Sequence, residues 1–341
     1  MVEARHPATP MVATRRHLLA CAASSAASLA QPALAQARQT VVFGIGLSAP
    51  FAPYVVLVES GIGAKHGIRG EYKIFESGIG GIEAVVTGNA QVAAGSELTP
   101  LRARASGAKI RAVGRPLISG KDIGIGVNAA IRSPQDFKGK RIGTIRGGTG
   151  DYLLYRFREK HGLHEGTDPD GYRVTNVNPA EWIPALSRGD IDAFFGWEPW
   201  VSRLPTVVRN ARAYGFSGDD DLYWMWYSLI FREEWIRDDP AAADATYLAL
   251  AETMDWINAN REDACRMASK AFRVPIDAMR NQMNGCEYLL DTKRVHLTRL
   301  KEVGAWAAEA GFMQTSDLSR LVDEFYDPTV AQRVAPQRTD F

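Results

Sequence analysis

From Thr40 onward, short apolar runs are separated by single helix-like stretches, and this alternation restricts the fold more than any other feature. "TVVFGIGL" (Thr40–Leu47) reads as a buried strand and "APYVVLVESGIGAKHG" as a helix stopped by glycine. "EYKIFES", "AQVAAGS" and "KIRAVGRP" read as further strands, with "GGIEAVVTG" and "TPLRARASG" as the helices between them. Strands joined by single helices pair in parallel and are covered on both faces, an α/β arrangement. The pattern then repeats in "KDIGIGVNA", "SPQDFKGKRIGTI", "GDYLLYRFREKHG", "YRVTNV", "NPAEWIPALSRG" and "DIDAFFGW", a second, smaller unit from about Ala129 to Asp221. A strand-like "DLYWMWYSLIFR" follows, and then a helical stretch in which Tyr247, Leu250, Ala251, Met254 and Ile257 keep helical spacing.

One unit is thus inserted into the other, with extended crossings near Ile125–Ala129 and Tyr223–Ile230. The expected division is a leader at 1–37, a discontinuous first lobe at 38–127 and 222–328, a second lobe at 128–221, and a loop-like tail at 329–341. In open α/β sheets ligands bind beyond the carboxyl ends of strands. Two such rims face to face make a cleft with a hinge.

Charge excludes some partners. With 40 Lys and Arg against 39 Asp and Glu, the chain has no global field for nucleic acid or an anionic membrane. The N-terminal "TRRHLLACAASSAASLAQPALAQA" carries Arg15 and Arg16, a run of apolar and small residues, and an A-x-A site at Ala33-Leu34-Ala35. These are the parts of a secretory signal peptide, cleaved near Ala35, and the order Thr14 to Leu19 resembles a twin-arginine export signal. Two cysteines remain after cleavage, Cys265 and Cys286; in an oxidising compartment they either pair or stay free, and sequence leaves both open.

The loops at predicted strand ends carry the candidate chemistry. In "GKRIGTIRGGTGDYLL", a strand meets a glycine turn and then a helix start, so Gly148, Thr149 and Gly150 offer free N–H groups to an anion or a carbonyl oxygen. Neither G-x-G-x-x-G nor the P-loop ending is present, which demotes a nucleotide. Asp151 either complements the helix dipole or, pointing inward, favours a ligand with an amine or N–H donor. Ser48, Pro50 and Phe51 follow the first strand; Ser77 and Gly78, then Ser96 and Glu97, end two others; Trp197 and Glu198 sit beyond a strand of the second unit. An aromatic beside a carboxylate can cover and orient a small molecule. G-x-S-x-G and H-E-x-x-H are absent, and His161 and His164 read as helix-end residues. No enzyme, cofactor or metal is required.

At these loops the sequence resembles a known family. "SPQDFKGKRIGTIRGGTGDYLLYRFREKHGL" with "NPAEWIPALSRGDIDAFFGWEPW" is similar to the solute-binding proteins of the nitrate/sulfonate/taurine class of ABC importers. The shared run is Ala185, Leu186, Gly189, Asp190, Asp192 and Ala193, ending in Trp197-Glu198-Pro199. The resemblance implies a two-lobed periplasmic-binding-protein (Venus-flytrap) fold with two parallel-rich sheets, helices on both faces and C-terminal helices. It further implies a periplasmic monomer that captures a small solute and docks on an inner-membrane ABC permease. Ser48 to Phe51, Ser77-Gly78, Ser96-Glu97, Gly148 to Asp151 and Trp197-Glu198 would line the cleft. Many relatives carry a neutral residue where Asp151 stands, so a bare anion, a zwitterion such as taurine, an aromatic acid and an aminopyrimidine all stay open. A periplasmic sensor is the second class; the pyrimidine-synthesis enzymes of thiamine metabolism, cytosolic and carrying a cysteine-rich motif, are a remote third.

Overall fold

The computed structural model describes residues 39–341; the leader reading at 1–37 lies outside them. The apolar runs form two mixed sheets. In the first, the order is β11 (Cys286–Asp291), β4 (Ile110–Ser119), β10 (Met225–Arg232), β3 (Val92–Ser96), β1 (Gln39–Ile45) and β2 (Ile68–Ile74). In the second it is β7 (Arg173–Asn176), β6 (Arg141–Thr144), β8 (Ala193–Trp197), β5 (Ile123–Val127) and β9 (Arg212–Phe216).

The strands that alternate with helices pair in parallel as expected: β1 with β2 and β3, and β6 with β7 and β8. The sheets are not parallel-rich, however. β10 runs antiparallel to both β3 and β4, β11 to β4, and β5 to both β8 and β9. A parallel neighbour needs a long crossover, and β5 and β10 are entered from the other lobe without a helical crossover of that kind.

Those crossings also move the lobe boundary. Ile123–Val127, expected in the first lobe, belongs to the second sheet, so the chain crosses at 120–122, immediately after β4. It returns between Phe216 and Met225. β11 and β9 are strands that sequence reading left unmarked; each lies at a sheet edge and is short. The tail is not a plain loop. It forms a helix at Thr329–Val334 and a 3-10 turn at Pro336–Arg338, because backbone bonds tie it to the first sheet: Asp327 N–H to the Ala112 carbonyl at 2.8 Å and Thr292 N–H to the Arg338 carbonyl at 2.9 Å.

Each lobe has its own apolar interior. Fully buried Val41, Phe43 and Ile45 of β1 lie in the first, and Trp182 stacks on Phe194 at 5.4 Å in the second. Cys265 and Cys286 are both free and buried; burial pushes the Cys286 thiol up to about 12. Among the described residues, no helix is long and apolar enough to cross a membrane.

Candidate functional site

The carboxyl ends of β1, β2, β3, β6 and β8 converge on one cavity between the sheets, with about 560 Å³ of non-atom space, part of it open to solvent. Its lobe-one wall holds Ser48 and Phe51 after β1, Ser77 and Gly78 after β2, and Ser96 at the end of β3. The second lobe supplies Gly148 and Thr149 before the helix Thr149–His161, and Trp197 with Glu198 after β8. Nine of the thirteen sequence candidates therefore meet here. Phe51 packs edge-on against Tyr227 at 5.9 Å, and a Cβ at Gly78 would come within 2.9 Å of the Phe51 ring, so only glycine lets that ring lie against the strand end.

Several contacts join the lobes: Tyr152 Oη donates to Glu302 at 3.3 Å and packs on Trp306, and two more hydrogen bonds lie beside the cavity. The Ser96 and Thr149 hydroxyls share a hydrogen bond of 2.7 Å. Arg102, on the helix Leu98–Ala105, donates to the Gly147 carbonyl at 2.7 Å and to the Phe312 carbonyl at 3.0 Å.

The structure sets four candidates away from the cavity. Pro50 is buried in the turn Ala49–Phe51 behind it. Gly150 serves packing: a Cβ there would lie 2.3 Å from the Phe195 carbonyl oxygen and 2.7 Å from Thr144 Oγ1. Gly150→Ala should therefore cost about 1–3 kcal/mol by overpacking the helix against β8, read as a lower urea midpoint with an unchanged slope.

Asp151 takes its bland role. Its Oδ2 accepts from the Gly147 N–H at 2.8 Å and its Oδ1 from Arg146 at 3.3 Å, beside a separate cavity shared with Glu165 and Tyr172. Burial raises its carboxyl, opposed by that backbone bond and by Arg146. Glu97 is wholly buried behind the cleft. It accepts from Tyr223 Oη at 2.7 Å, the Trp226 N–H at 2.8 Å and Arg299 Nε at 3.1 Å. Burial raises Glu97 and the Arg299 charge pulls it back.

Sequence reading missed Asp122, Thr99, Met225 and Tyr227, which also line the cavity. Asp122 is the important one. It lies in the crossing before β5, and only the antiparallel pairing of β5 with β8 brings it beside Glu198, whose N–H donates to the Asp122 carbonyl at 2.9 Å. Its Oδ2 accepts from Tyr227 Oη at 2.7 Å. Burial pushes Asp122 up to about 6, against the pull of the Tyr227 and Ser48 hydroxyls. Glu198, which accepts from Ser202 Oγ at 2.5 Å, is pushed up to about 7, first by burial and further by Asp122. A buried carboxylate beside a second one prefers to be neutral unless a partner offsets the charge.

Comparison with known proteins adds to this geometry. A putative binding protein of Brucella abortus is 25% identical over 255 residues, 73% of this chain and 76% of that one. The periplasmic aliphatic sulphonate binding protein SsuA of Escherichia coli superposes with a TM-score of 0.67 at 17% identity, covering 83% of this chain and 91% of that one. The periplasmic nitrate-binding protein NrtA of Synechocystis gives 0.71 at 18% identity, covering 88% and 89%. At these identities the two structures establish the fold, a two-lobed periplasmic-binding-protein architecture. Residues 49–264, more than half of the chain, match the NMT1/THI5-like family, and the protein belongs to it.

Proposed function

We propose that this protein is the substrate-binding component of an ABC importer, exported to the periplasm as a monomer. It captures a small organic solute between its lobes and delivers it to an inner-membrane permease, and it is not an enzyme. The observation that carries this reading is the cavity itself: loops from both lobes meet around it, and Ser96–Thr149 and Arg102–Gly147 clasp the lobes across it. The names of the relatives, a binding protein, a sulphonate binder and a nitrate binder, support the same role. In this reading Ser48, Phe51, Ser77, Gly78 and Ser96 hold the solute from one side. Gly148, Thr149, Trp197 and Glu198 close on it from the other.

Closure is favoured only by contacts the solute makes better in the closed state. A thermal-shift screen of the chain beginning at residue 36, over sulfonates, taurine, nitrate, aromatic acids and amines, tests the receptor. A ligand at a hundredfold excess over its Kd adds about 2.7 kcal/mol of stability. Arg102→Ala removes an interlobe clasp without touching the cavity wall. It should weaken such a ligand about fivefold to tenfold, the equivalent of about 1 kcal/mol, and lower ligand-free stability by about 1–3 kcal/mol through the lost bond to the Phe312 carbonyl. Equal affinity in wild type and Arg102→Ala would remove interlobe closure from the reading.

A further inference from the structure

We propose that the cleft selects a nitrogen-bearing cationic solute, a protonated amine, amidine or aminoheterocycle, through Asp122 and Glu198. The inference rests on the receptor reading above and names the chemistry of its ligand.

The charged side chains facing the cavity are Glu76, Asp122 and Glu198; among the described residues lining it there is no Lys, Arg or His. Lys121, which precedes Asp122 in the chain, does not line the cavity, and two cations of the neighbouring loops are committed elsewhere. Arg102 is held by two carbonyls, and Arg146 by Asp151 and Glu165. A bare anion entering this space would meet three carboxyl groups and no cationic side chain, with only helix-start N–H groups to receive it. Asp122 adds the decisive detail. It is only 5% exposed; Tyr227 holds its Oδ2, the Ser48 hydroxyl lies close enough to pull on the carboxyl, and its Oδ1 makes no hydrogen bond of ordinary geometry among the described residues. Buried carboxylate oxygens are nearly always satisfied, and leaving one without a donor is costly. An N–H donor carrying positive charge satisfies that oxygen and offsets the charge of the pair at once.

The rest of the wall fits the same kind of molecule. Phe51, Trp197 and Met225 give apolar and aromatic surface for a compact body, and a ring face attracts a cation. The helix starts at Gly78 and Thr149 present N–H groups, which suit a ring nitrogen, carbonyl or acidic group on the same solute.

Titration gives the inference a sign. Asp122 is faced by Tyr227 from β10 and by Cys286 and Tyr288 from β11, all with raised pKa values, and by Glu198 across the β5–β8 junction. Glu198 is faced by Ser202 and Asp122, with Glu76 also on the cavity wall. Neutral tyrosines and thiol leave the two carboxyls as the groups that change charge between pH 5 and 8. A cation binds their ionised form, so its affinity rises with pH; an anion shows the opposite slope.

Calorimetry on the chain beginning at residue 36 decides this, with benzamidine, 4-aminopyridine and taurine set against their counterparts benzoate, pyridine and ethanesulfonate, and with nitrate. The expected result is that at least one amine or amidine probe binds at least tenfold more tightly than its counterpart. Its affinity rises about tenfold or more from pH 5 to pH 8. Asp122→Asn and Glu198→Gln each reduce it about tenfold or more, while Asp151→Asn leaves it unchanged. Far-ultraviolet circular dichroism and the melting temperature show whether each variant is folded. Binding by benzoate, ethanesulfonate or nitrate alone, or an amine affinity indifferent to both carboxylate variants, overturns the proposed class and leaves the receptor standing. No probe of either kind binding overturns both.

Discussion

Replacing Arg299 by alanine is expected to lower the unfolding free energy by about 3–5 kcal/mol, the cost of leaving a buried charge without its partner. Arg299, on the helix Arg294–Glu309, donates from Nε to Glu97, whose side chain is fully buried, and its guanidinium lies over the Tyr223 ring at 4.7 Å. Removing it leaves Glu97, among the described residues, with the Tyr223 hydroxyl and the Trp226 N–H. Urea unfolding of the ligand-free protein reads the loss directly. The paired change Glu97→Gln with Arg299→Met separates charge from packing. Because a buried ion pair replaced as a unit by groups of similar volume is often nearly neutral, the double variant should recover most of the stability. A double variant as unstable as Arg299→Ala would mean that the side chain acts through packing and not through the carboxylate.

The second large effect concerns the cleft. Without ligand, the protein should be more stable at pH 5 than at pH 8, and Asp122→Asn and Glu198→Gln should each remove part of that dependence. The sign follows from the raised pKa values. Asp122 moves from 3.8 to about 6 and Glu198 from 4.5 to about 7 on folding, so between roughly pH 4 and 7 the folded state holds protons that the unfolded state has released. Stability then falls as pH rises, and the full penalty is present above the folded values. At about 1.4 kcal/mol for each unit of displacement, each carboxyl contributes on the order of 3 kcal/mol. Asp192, whose burial is outweighed by Arg141, and Glu233, whose burial is outweighed by Arg111 and Arg104, act in the opposite sense. They titrate below pH 5, outside this window. His296, which burial pushes down to about 3, acts in the opposite sense inside it, because below about pH 6.5 the unfolded state binds a proton that the folded state refuses; it offsets part of the slope and leaves its sign to the two carboxyls. Melting temperatures across pH 5 to 8 measure the slope, and a slope unchanged in Asp122→Asn and Glu198→Gln would mean that the two carboxyls are solvated. The neutral variants should be more stable than wild type at pH 8. A site that gains stability on losing its charges holds them for something other than folding.

Several parts of this molecule are legible in the sequence alone. The βα alternation from Thr40, with its second cycle after Ala129, fixed an α/β protein of two units, because strand and helix periods are local properties of the chain. Glycine and small hydroxyl residues at strand ends marked the rim: Ser48, Ser77, Gly78, Ser96, Gly148 and Thr149 all line the cavity. Trp197 and Glu198 were visible for the same reason, as an aromatic and a carboxylate directly after an apolar run.

What sequence misplaced was carboxylates. Asp151 and Glu97 stand in the right loops, but a helix turn or a strand end directs adjacent residues to opposite sides. Asp151 is consumed by the Gly147 N–H, and Glu97 turns back to Arg299, more than two hundred residues away along the chain. Asp122 had no local mark at all. Its position in the cleft depends on β5 leaving the first lobe and pairing antiparallel with β8, and strand direction at a lobe crossing is set by which partner edge the chain meets. The sequence by itself therefore determined the fold class, the rim and the kinds of residue gathered there. Only the tertiary structure decided which acids face the solute and which are spent on the protein, because that choice depends on side-chain direction and long-range pairing, neither of which leaves a periodic signal in the chain.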